Sequence, residues 1–376
     1  MLKKNPELVM IKVIHVIWSA TIGGIERVVM DLISQQQKNA DLTVSLLIAK
    51  SEGDLLPHFA SLNIEVFALG LKGGHDISAG CYRKAKELFQ HNDIIHIHSF
   101  NPLIALAAKN SNRKIIYTEH GNFGIGKKTG WRDDLVSSLQ KRFLNSSVDF
   151  IIFNSKFSEQ FASGRYGLSR VKKQVIYNGI PAFIPSGSNP EIPELKNSFV
   201  VGTIARMAGV KRIDRLLKTY ALFSKDKMDC RLYVIGDGPL LQEMKNLAVK
   251  LGIERTTIFA GYRQDARYCL QSFDVCAFTS EKEAFGLVAI EAYDAGKPVI
   301  VFSDSGGLAE IVSPQDDGDV VNDEKEFAER INTYYNNRSG DFNGIDQEQR
   351  KNYAKQFTIE RMEKEIYTVY KNTCTT

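Results

Sequence analysis

Short β-branched runs alternate with longer amphipathic ones along almost the whole chain, and this alternation restricts the fold more than any other feature. Residues 11–18 read as a strand. Gly23 and Gly24 then open a helix through Gln36, with Ile25, Val28, Val29, Leu32 and Ile33 on one face. Residues 42–49, 64–68, 93–98, 114–118, 150–153 and 174–176 continue as strands, with helical patterns at 103–109 and 131–145. Parallel neighbours need long crossovers, so this order predicts a parallel, doubly wound sheet.

The pattern breaks once. Pro181, Pro185, Pro190 and Pro193 are four of the chain's ten prolines and crowd one stretch with Ser and Asn. Proline fixes φ and removes a donor, so residues 181–198 read as a linker. Alternation then restarts, with strands at 199–204, 231–235, 257–260, 275–278 and 298–302 and helices at 213–223, 240–251 and 286–295. The chain's 376 residues exceed the roughly 250–300 at which a single core stops growing. The expected domains are therefore 1–180 and 199–355. A last amphipathic helix within 356–376 carries Met362, Ile366, Val369 and Tyr370 on one face and is expected to cross back to the first domain. Two α/β domains facing each other make a cleft, a favoured place for small-molecule sites.

Composition removes several classes of function. At 43% hydrophobic and 24% charged the chain is neither disordered nor fibrous. A net charge of +4 is too small to argue for nucleic acid. Cys81, Cys230, Cys269, Cys276 and Cys374 are odd in number and form no C-x-x-C pair, so reduced thiols are expected rather than disulfides or zinc. Apolar runs such as 151–153 and 299–302 are strand-length, and Glu7, Lys12 and His15 interrupt any signal-peptide core, so a cytoplasmic protein is expected.

In parallel sheets ligands sit beyond the carboxyl ends of strands, so the residues after each strand carry the chemistry. After the first come Gly23 and Gly24, whose amides can approach an anion at a helix N-terminus; an ordinary tight turn explains them equally well. Strand 199–204 is followed by Arg206 and Lys211, a pair suited to a diphosphate, although on these residues alone a solvated basic loop is the preferred reading. Gly236-Asp237-Gly238-Pro239 is another glycine turn, and Leu241 at the third glycine position keeps it from being a dinucleotide fingerprint. Glu283 and Glu291 flank Phe285-Gly286-Leu287. Glu291 lies among Val288, Ala289, Ile290 and Ala292, where a carboxylate is out of place unless it meets a polar ligand; two surface glutamates are the competing reading.

With these residues the chain resembles glycosyltransferase family 4, which has the two-domain GT-B fold. Glu283 and Glu291 make its E-x7-E motif. The resemblance extends through Gly23-Gly24-Ile25-Glu26-Arg27, Asp93 to Ser99, Thr118-Glu119-His120-Gly121, Asn154-Ser155, Tyr177-Asn178-Gly179, Arg206 with Lys211, Gly236 to Pro239 and Gly306 to Glu310. It implies two Rossmann-like domains facing across a cleft, the first on the acceptor side and the second on the donor side. It implies a retaining transfer of a sugar from a nucleotide diphosphate sugar, UDP favoured over GDP, to an acceptor hydroxyl. Arg206 and Lys211 would neutralise the leaving diphosphate. Glu283 would hold donor-sugar hydroxyls and Glu291 the ribose. Gly23 and Gly24 would lie against the phosphates and His120 beside the reacting carbon. Gly236, Gly261, Tyr262, Arg263, Phe285, Gly286 and Leu287 would complete the donor set. No metal or other cofactor is implied. Surface polysaccharide synthesis, such as O-antigen, lipopolysaccharide or capsule, is the expected role, with a glycan or lipid-linked glycan as acceptor.

Some features depart from the pattern or imitate others. Arg212 stands where many members of the family have glycine after the lysine, and Gly209 is the expected source of flexibility there. Residues 121–129 nearly spell a P-loop, but Lys128 occupies the Ser/Thr position, so a basic loop is preferred. His96 and His98 share a strand face and could ligate a metal; a packed or cleft-facing pair is preferred. Asp317-Gly318-Asp319 mimics the metal motif of another glycosyltransferase fold but reads as a loop. Trp131, Leu135, Leu139 and Phe143 share a helix face near Lys127, Lys128, Lys141 and Arg142. A core-facing helix is preferred there to a dock on anionic lipid at the inner face of the membrane. Two further readings compete with the transferase: a GT-B sugar-nucleotide 2-epimerase, and a GT-B subunit that binds a partner without catalysis.

Overall fold

The computed structural model describes residues 10–74, 76–121, 130–183, 192–338 and 346–375. These divide into two compact units, one of residues 10–74, 76–121, 130–181 and 359–375, the other of residues 182–183, 192–338 and 346–358.

Unit 1 carries strands β1 (Ile11–Ile17), β2 (Leu42–Ile48), β3 (Glu65–Ala68), β4 (Ile94–Ile97), β5 (Lys114–Glu119), β6 (Phe150–Phe153) and β7 (Lys172–Val175). Its helices are α1 (Gly24–Gln36), α2 (Leu56–Ser61), α3 (Ala79–Gln90), α4 (Pro102–Lys109), α5 (Trp131–Ser146) and α6 (Lys156–Tyr166). Local chemistry sets the ends. Asn101 caps α4 by accepting from the Leu103 and Ile104 amides, with Pro102 in the first turn. Ser155 and Ser158 cap α6 reciprocally, and Gly167 ends it in the left-handed region at φ 64°.

Unit 2 carries β8 (Phe199–Ile204), β9 (Cys230–Ile235), β10 (Thr257–Gly261), β11 (Val275–Phe278), β12 (Val299–Phe302) and β13 (Val320–Val321). Its helices are α7 (Ile213–Ser224), α8 (Leu241–Lys250), α9 (Ala266–Cys269), α10 (Leu287–Asp294), α11 (Gly307–Val312), α12 (Glu324–Asn336) and α13 (Gln347–Ala354). The last helix, α14 (Ile359–Cys374), belongs to unit 1 and packs on α1.

Both sheets are wholly parallel. Unit 1 has the order β3-β2-β1-β4-β5-β6-β7 and unit 2 the order β10-β9-β8-β11-β12-β13. Each reverses direction once, between β1 and β4 and between β8 and β11. Crossovers leave on opposite faces at such a point and open a crevice at the carboxyl ends of the two strands. Strands buried on both faces explain the continuous apolar runs in the sequence, as in β11 and β12, whose residues are all buried. In unit 1 one face packs Ile14, Val16, Ile95 and Ile97 against α3 and α4 residues such as Ala85, Phe89 and Ile104. In unit 2 Val201, Leu232 and Val234 pack with Leu216, Tyr220 and Phe327. The stretch Pro185–Pro190 of the expected linker lies outside the described residues, as do Lys127 and Lys128.

Candidate functional site

In unit 2 the predicted residues gather at the β8/β11 reversal. Arg206 follows β8 and is exposed, with no side-chain partner among the described residues. Lys211 closes a short 3₁₀ turn, Gly209–Lys211, and its Nζ donates to Glu283 Oε1 at 2.7 Å. Burial alone would raise the Glu283 carboxyl, but the Lys211 charge and hydrogen bond, helped by the Ser280 hydroxyl, outweigh it and hold the group below its ordinary value. Glu283 is therefore ionised at neutral pH. Its Oε2 is buried and has no hydrogen-bond partner of ordinary geometry among the described residues. A buried carboxylate oxygen is costly without a donor, and the Ser280 hydroxyl is the chain's own group placed to ease that cost.

Backbone hydrogen bonds hold this pair in place. Glu281 N–H donates to Val210 O at 2.9 Å, and Thr279 Oγ1 donates to Lys211 O and Arg212 O at 3.1 and 2.9 Å. Glu283 N–H donates to Ser305 O, and Gly307 N–H donates to Glu283 O at 2.7 Å. The loops after β8, β11 and β12 are thus stitched together around Glu283.

Gly286, at φ 107°, caps α10, and a Cβ there would lie 2.5 Å from Leu308 Cδ1. Only glycine fits this turn. It brings Phe285, buried, and Leu287, half-buried, to the head of α10, whose first amides have no partner within the helix. Glu291 is buried inside α10, only 7% exposed. Gly236, at φ 131°, passes so close to β8 that a Cβ would sit 2.0 Å from Ala205 O. Gly261 ends β10 at φ 69° and leaves Tyr262 exposed. Arg263 spends its guanidinium on Asp265, at 2.8 and 2.6 Å, and on the Tyr233 hydroxyl at 3.4 Å.

In unit 1 the predicted residues follow the carboxyl ends of β1 and β5. Gly23 is extended, at φ −159°, and Gly24 is exposed with open space where a Cβ would be. His120 follows β5 and is half-buried. It ends a chain of histidines. His120 Nε2 lies 2.9 Å from His98 Nδ1, and His98 Nε2 lies 2.8 Å from His15 Nδ1. His15 Nε2 reaches Gln36 Oε1 at 2.8 Å. Beside them His96 joins Tyr370 through Nδ1, at 2.7 Å, and Thr118 through Nε2, at 2.6 Å. Burial lowers His15 and His120 to about 4, and His96 and His98 well below the usual histidine value, so all four are neutral at pH 7. The nitrogens of His15, His96 and His98 lie within 4.8 Å of one another, close enough to hold a metal ion. All six ring nitrogens nonetheless make hydrogen bonds within the protein.

Sequence reasoning missed His15, Gln36 and the role of Tyr370. The signal was present: His15 interrupts an apolar strand and pairs in register with His96. Other expectations need correction. Gly209 opens the 3₁₀ turn without a positive φ, and the left-handed conformation is taken by Arg212 itself, at φ 47° and ψ 43°. Its guanidinium donates to Asp214 at 3.0 and 3.2 Å and to Glu281 at 3.0 Å, and these bonds hold the turn. The helix face of Trp131, Leu135 and Leu139 does not face the core. These three are 71%, 52% and 40% exposed, and of the four stripe residues Phe143 alone is buried. The Asp319 carboxylate is engaged by Arg330 and by the Tyr334 hydroxyl. The P-loop-like segment after Gly121 lies outside the described residues.

Known proteins carry the same architecture. The chain matches the family described as Glycosyltransferase Family 4 over residues 22–182 and Glycosyl transferases group 1 over residues 188–357. It is 27% identical over 214 residues to an uncharacterized glycosyltransferase of Haemophilus influenzae, an alignment covering 57% of each chain. The solved structure of Anabaena HepE with UDP and glucose superposes with a TM-score of 0.78 at 21% identity, covering 96% of this chain and 100% of that one. WaaG, a glycosyltransferase involved in lipopolysaccharide biosynthesis, does so at 0.73 and 16%, covering 95% and 99%. Two doubly wound units with these neighbours are the fold of GT-B glycosyltransferases. The chain belongs to glycosyltransferase family 4.

Proposed function

We propose that this protein is a retaining glycosyltransferase that takes a sugar from a nucleotide diphosphate sugar, a UDP-sugar in preference to a GDP-sugar, and places it on a glycan or lipid-linked glycan. The Lys211–Glu283 pair carries this reading: a cation beside an ionised, buried carboxylate whose second oxygen has no partner of ordinary geometry among the described residues, at the reversal of a doubly wound sheet. Lys211 and Arg206 stabilise charge on the diphosphate as the bond from the sugar carbon to its oxygen breaks, in place of a metal ion. Glu283 Oε2 accepts from a donor-sugar hydroxyl, and Glu291 from the ribose. The acceptor oxygen bonds to the same face of the sugar carbon and its proton passes to the leaving diphosphate, so no carboxylate nucleophile is needed. HepE with UDP and glucose, and WaaG in lipopolysaccharide biosynthesis, support the donor class and the surface-glycan role.

A panel of nucleotide sugars scored by thermal shift tests the donor: one UDP-sugar is expected to raise the melting temperature in wild type and much less in Glu283→Gln or Lys211→Ala. Equal shifts in all three proteins sink the reading, as does loss of transfer on chelating metal. Product NMR is expected to show the donor's anomeric configuration kept.

The bare stripe on α5 supports a peripheral contact with anionic lipid. Arg132, Lys141 and Arg142 on this helix are opposed by Asp133 and Asp134, so insertion of Trp131, Leu135 and Leu139 supplies most of the attraction. Trp131→Ala with Leu135→Ser is expected to abolish co-sedimentation with phosphatidylglycerol vesicles; unchanged binding removes this part of the reading.

A further inference from the structure

Four of the chain's seven histidines meet on one face of the unit 1 sheet, and their hydrogen bonds have a direction. The direction follows from the end of the chain that does not titrate. Tyr370 is fully buried on α14, and its hydroxyl lies 2.7 Å from His96 Nδ1 and 3.3 Å from Gln36 Nε2. A phenol is a stronger hydrogen-bond donor than acceptor, and its one proton goes to the shorter contact, His96 Nδ1. His96 then carries its proton on Nε2 and donates to Thr118 Oγ1. With its proton spent, the Tyr370 oxygen accepts from the Gln36 amide nitrogen, which turns Gln36 Oε1 towards His15.

The rest is forced by counting protons. A neutral imidazole has one N–H and one lone pair. Gln36 Oε1 can only accept, so His15 donates from Nε2 and accepts at Nδ1. His98 must then donate from Nε2 and accept at Nδ1. His120, in turn, donates from Nε2. Neutrality, on which this count depends, is secured by burial, which disfavours the charged form of every ring.

We propose that Gln36, His15 and His98 are positioning residues that fix His120 as the Nε2–H tautomer and leave its Nδ1 as a bare lone pair for a substrate hydroxyl. Tyr370 sets the direction of the whole chain through the Gln36 amide. The substrate group this favours is an O–H donor; a carboxylate or carbonyl oxygen at the same place meets a lone pair and is repelled. The tautomer itself is a property of unit 1. Its use on a sugar rests on the proposed role of His120.

The test separates the two. In the full chain labelled with ¹⁵N-histidine, His120 is expected to show a protonated Nε2 and a pyridine-type Nδ1. Tyr370→Phe keeps the ring and removes only the proton that orients Gln36, so both His120 tautomers are expected to appear. Gln36→Leu removes the acceptor and is expected to give the same mixture. Losing one directed hydrogen bond lowers kcat/KM about three- to tenfold. A protonated Nδ1 on His120 in wild type overturns the proposal. So does a His120 signal unchanged in folded Tyr370→Phe. If the tautomers respond as expected but His120→Ala transfers sugar at the wild-type rate, the chain of protons stands and the placement of His120 beside the sugar falls.

Discussion

Arg212 holds a conformation that glycine would adopt freely, and its neighbours show why it is tolerated. The left-handed region costs a side chain roughly 1–2 kcal/mol. Arg212 offsets this with a bidentate pair to Asp214 and a bond to Glu281. Both carboxylates are part-exposed, and such pairs are worth about 0–1 kcal/mol each. The two sides nearly balance, so Arg212→Gly is expected to change stability by less than about 1 kcal/mol. Arg212→Ala keeps the strain and loses both pairs, so it is expected to cost up to about 2 kcal/mol and to be less stable than Arg212→Gly. Urea titration of the two variants checks the order. The same balance shows what a sequence conceals at this scale: Lys211 and Glu283 were readable as types at a spacing, but the bonds that let arginine replace glycine come from residues on two different loops.

The helices most legible in the sequence are those with a broad apolar stripe. The boundaries of α1, α7 and α14 fall within a few residues of the pattern. Helix α3 buries only Ala85 and Phe89, and α6 only Ser158, Ala162 and Tyr166, so periodicity carried little signal and their caps, Ser78 and Ser155, were the better clue. Helix α12, with Phe327, Ile331 and Tyr334 at helical spacing, was legible and went unread. Helix α5 misled in the other direction, because an apolar stripe alone does not say whether it faces core or solvent. The stripe of α14 buries Ile359, Met362, Ile366, Val369 and Tyr370 in unit 1. Ile366 is 1% exposed, and truncating a buried isoleucine costs about 2–5 kcal/mol. Ile366→Ala is expected to speed hydrogen exchange in β1 and β4, far from it in sequence, and to leave β8 and β11 as they are.

Across the molecule, acid acts on one unit before the other. His15 has its value lowered to about 4, so between pH 6.5 and pH 4 the unfolded chain binds a proton that the native fold refuses. Stability present at neutral pH is therefore lost as pH falls through this window, by about 2 kcal/mol for His15 alone between pH 7 and 5. His96 and His98 act in the same direction. Exchange protection in β1 is expected to fall at pH 5 while that in β8 holds; equal loss in both strands counts against a buried neutral cluster. The doubly wound architecture of both units was readable from strand–helix alternation, whereas this cluster needed the sheet order to bring β1, β4 and β5 together. One crossing of the chain has a further effect. Ile359 N–H donates to Ile180 O at 3.1 Å, so the point where the chain leaves unit 1 and the point where it returns are tied. Everything between is unit 2. On the ribosome, α1 and the buried face that carries Gln36 are made early, but α14 arrives only after residue 358. At about 5–20 residues per second, unit 1 waits roughly 10–35 seconds with that face uncovered. The unit begun first is completed last, and a chaperone that shields apolar helices has its clearest target there.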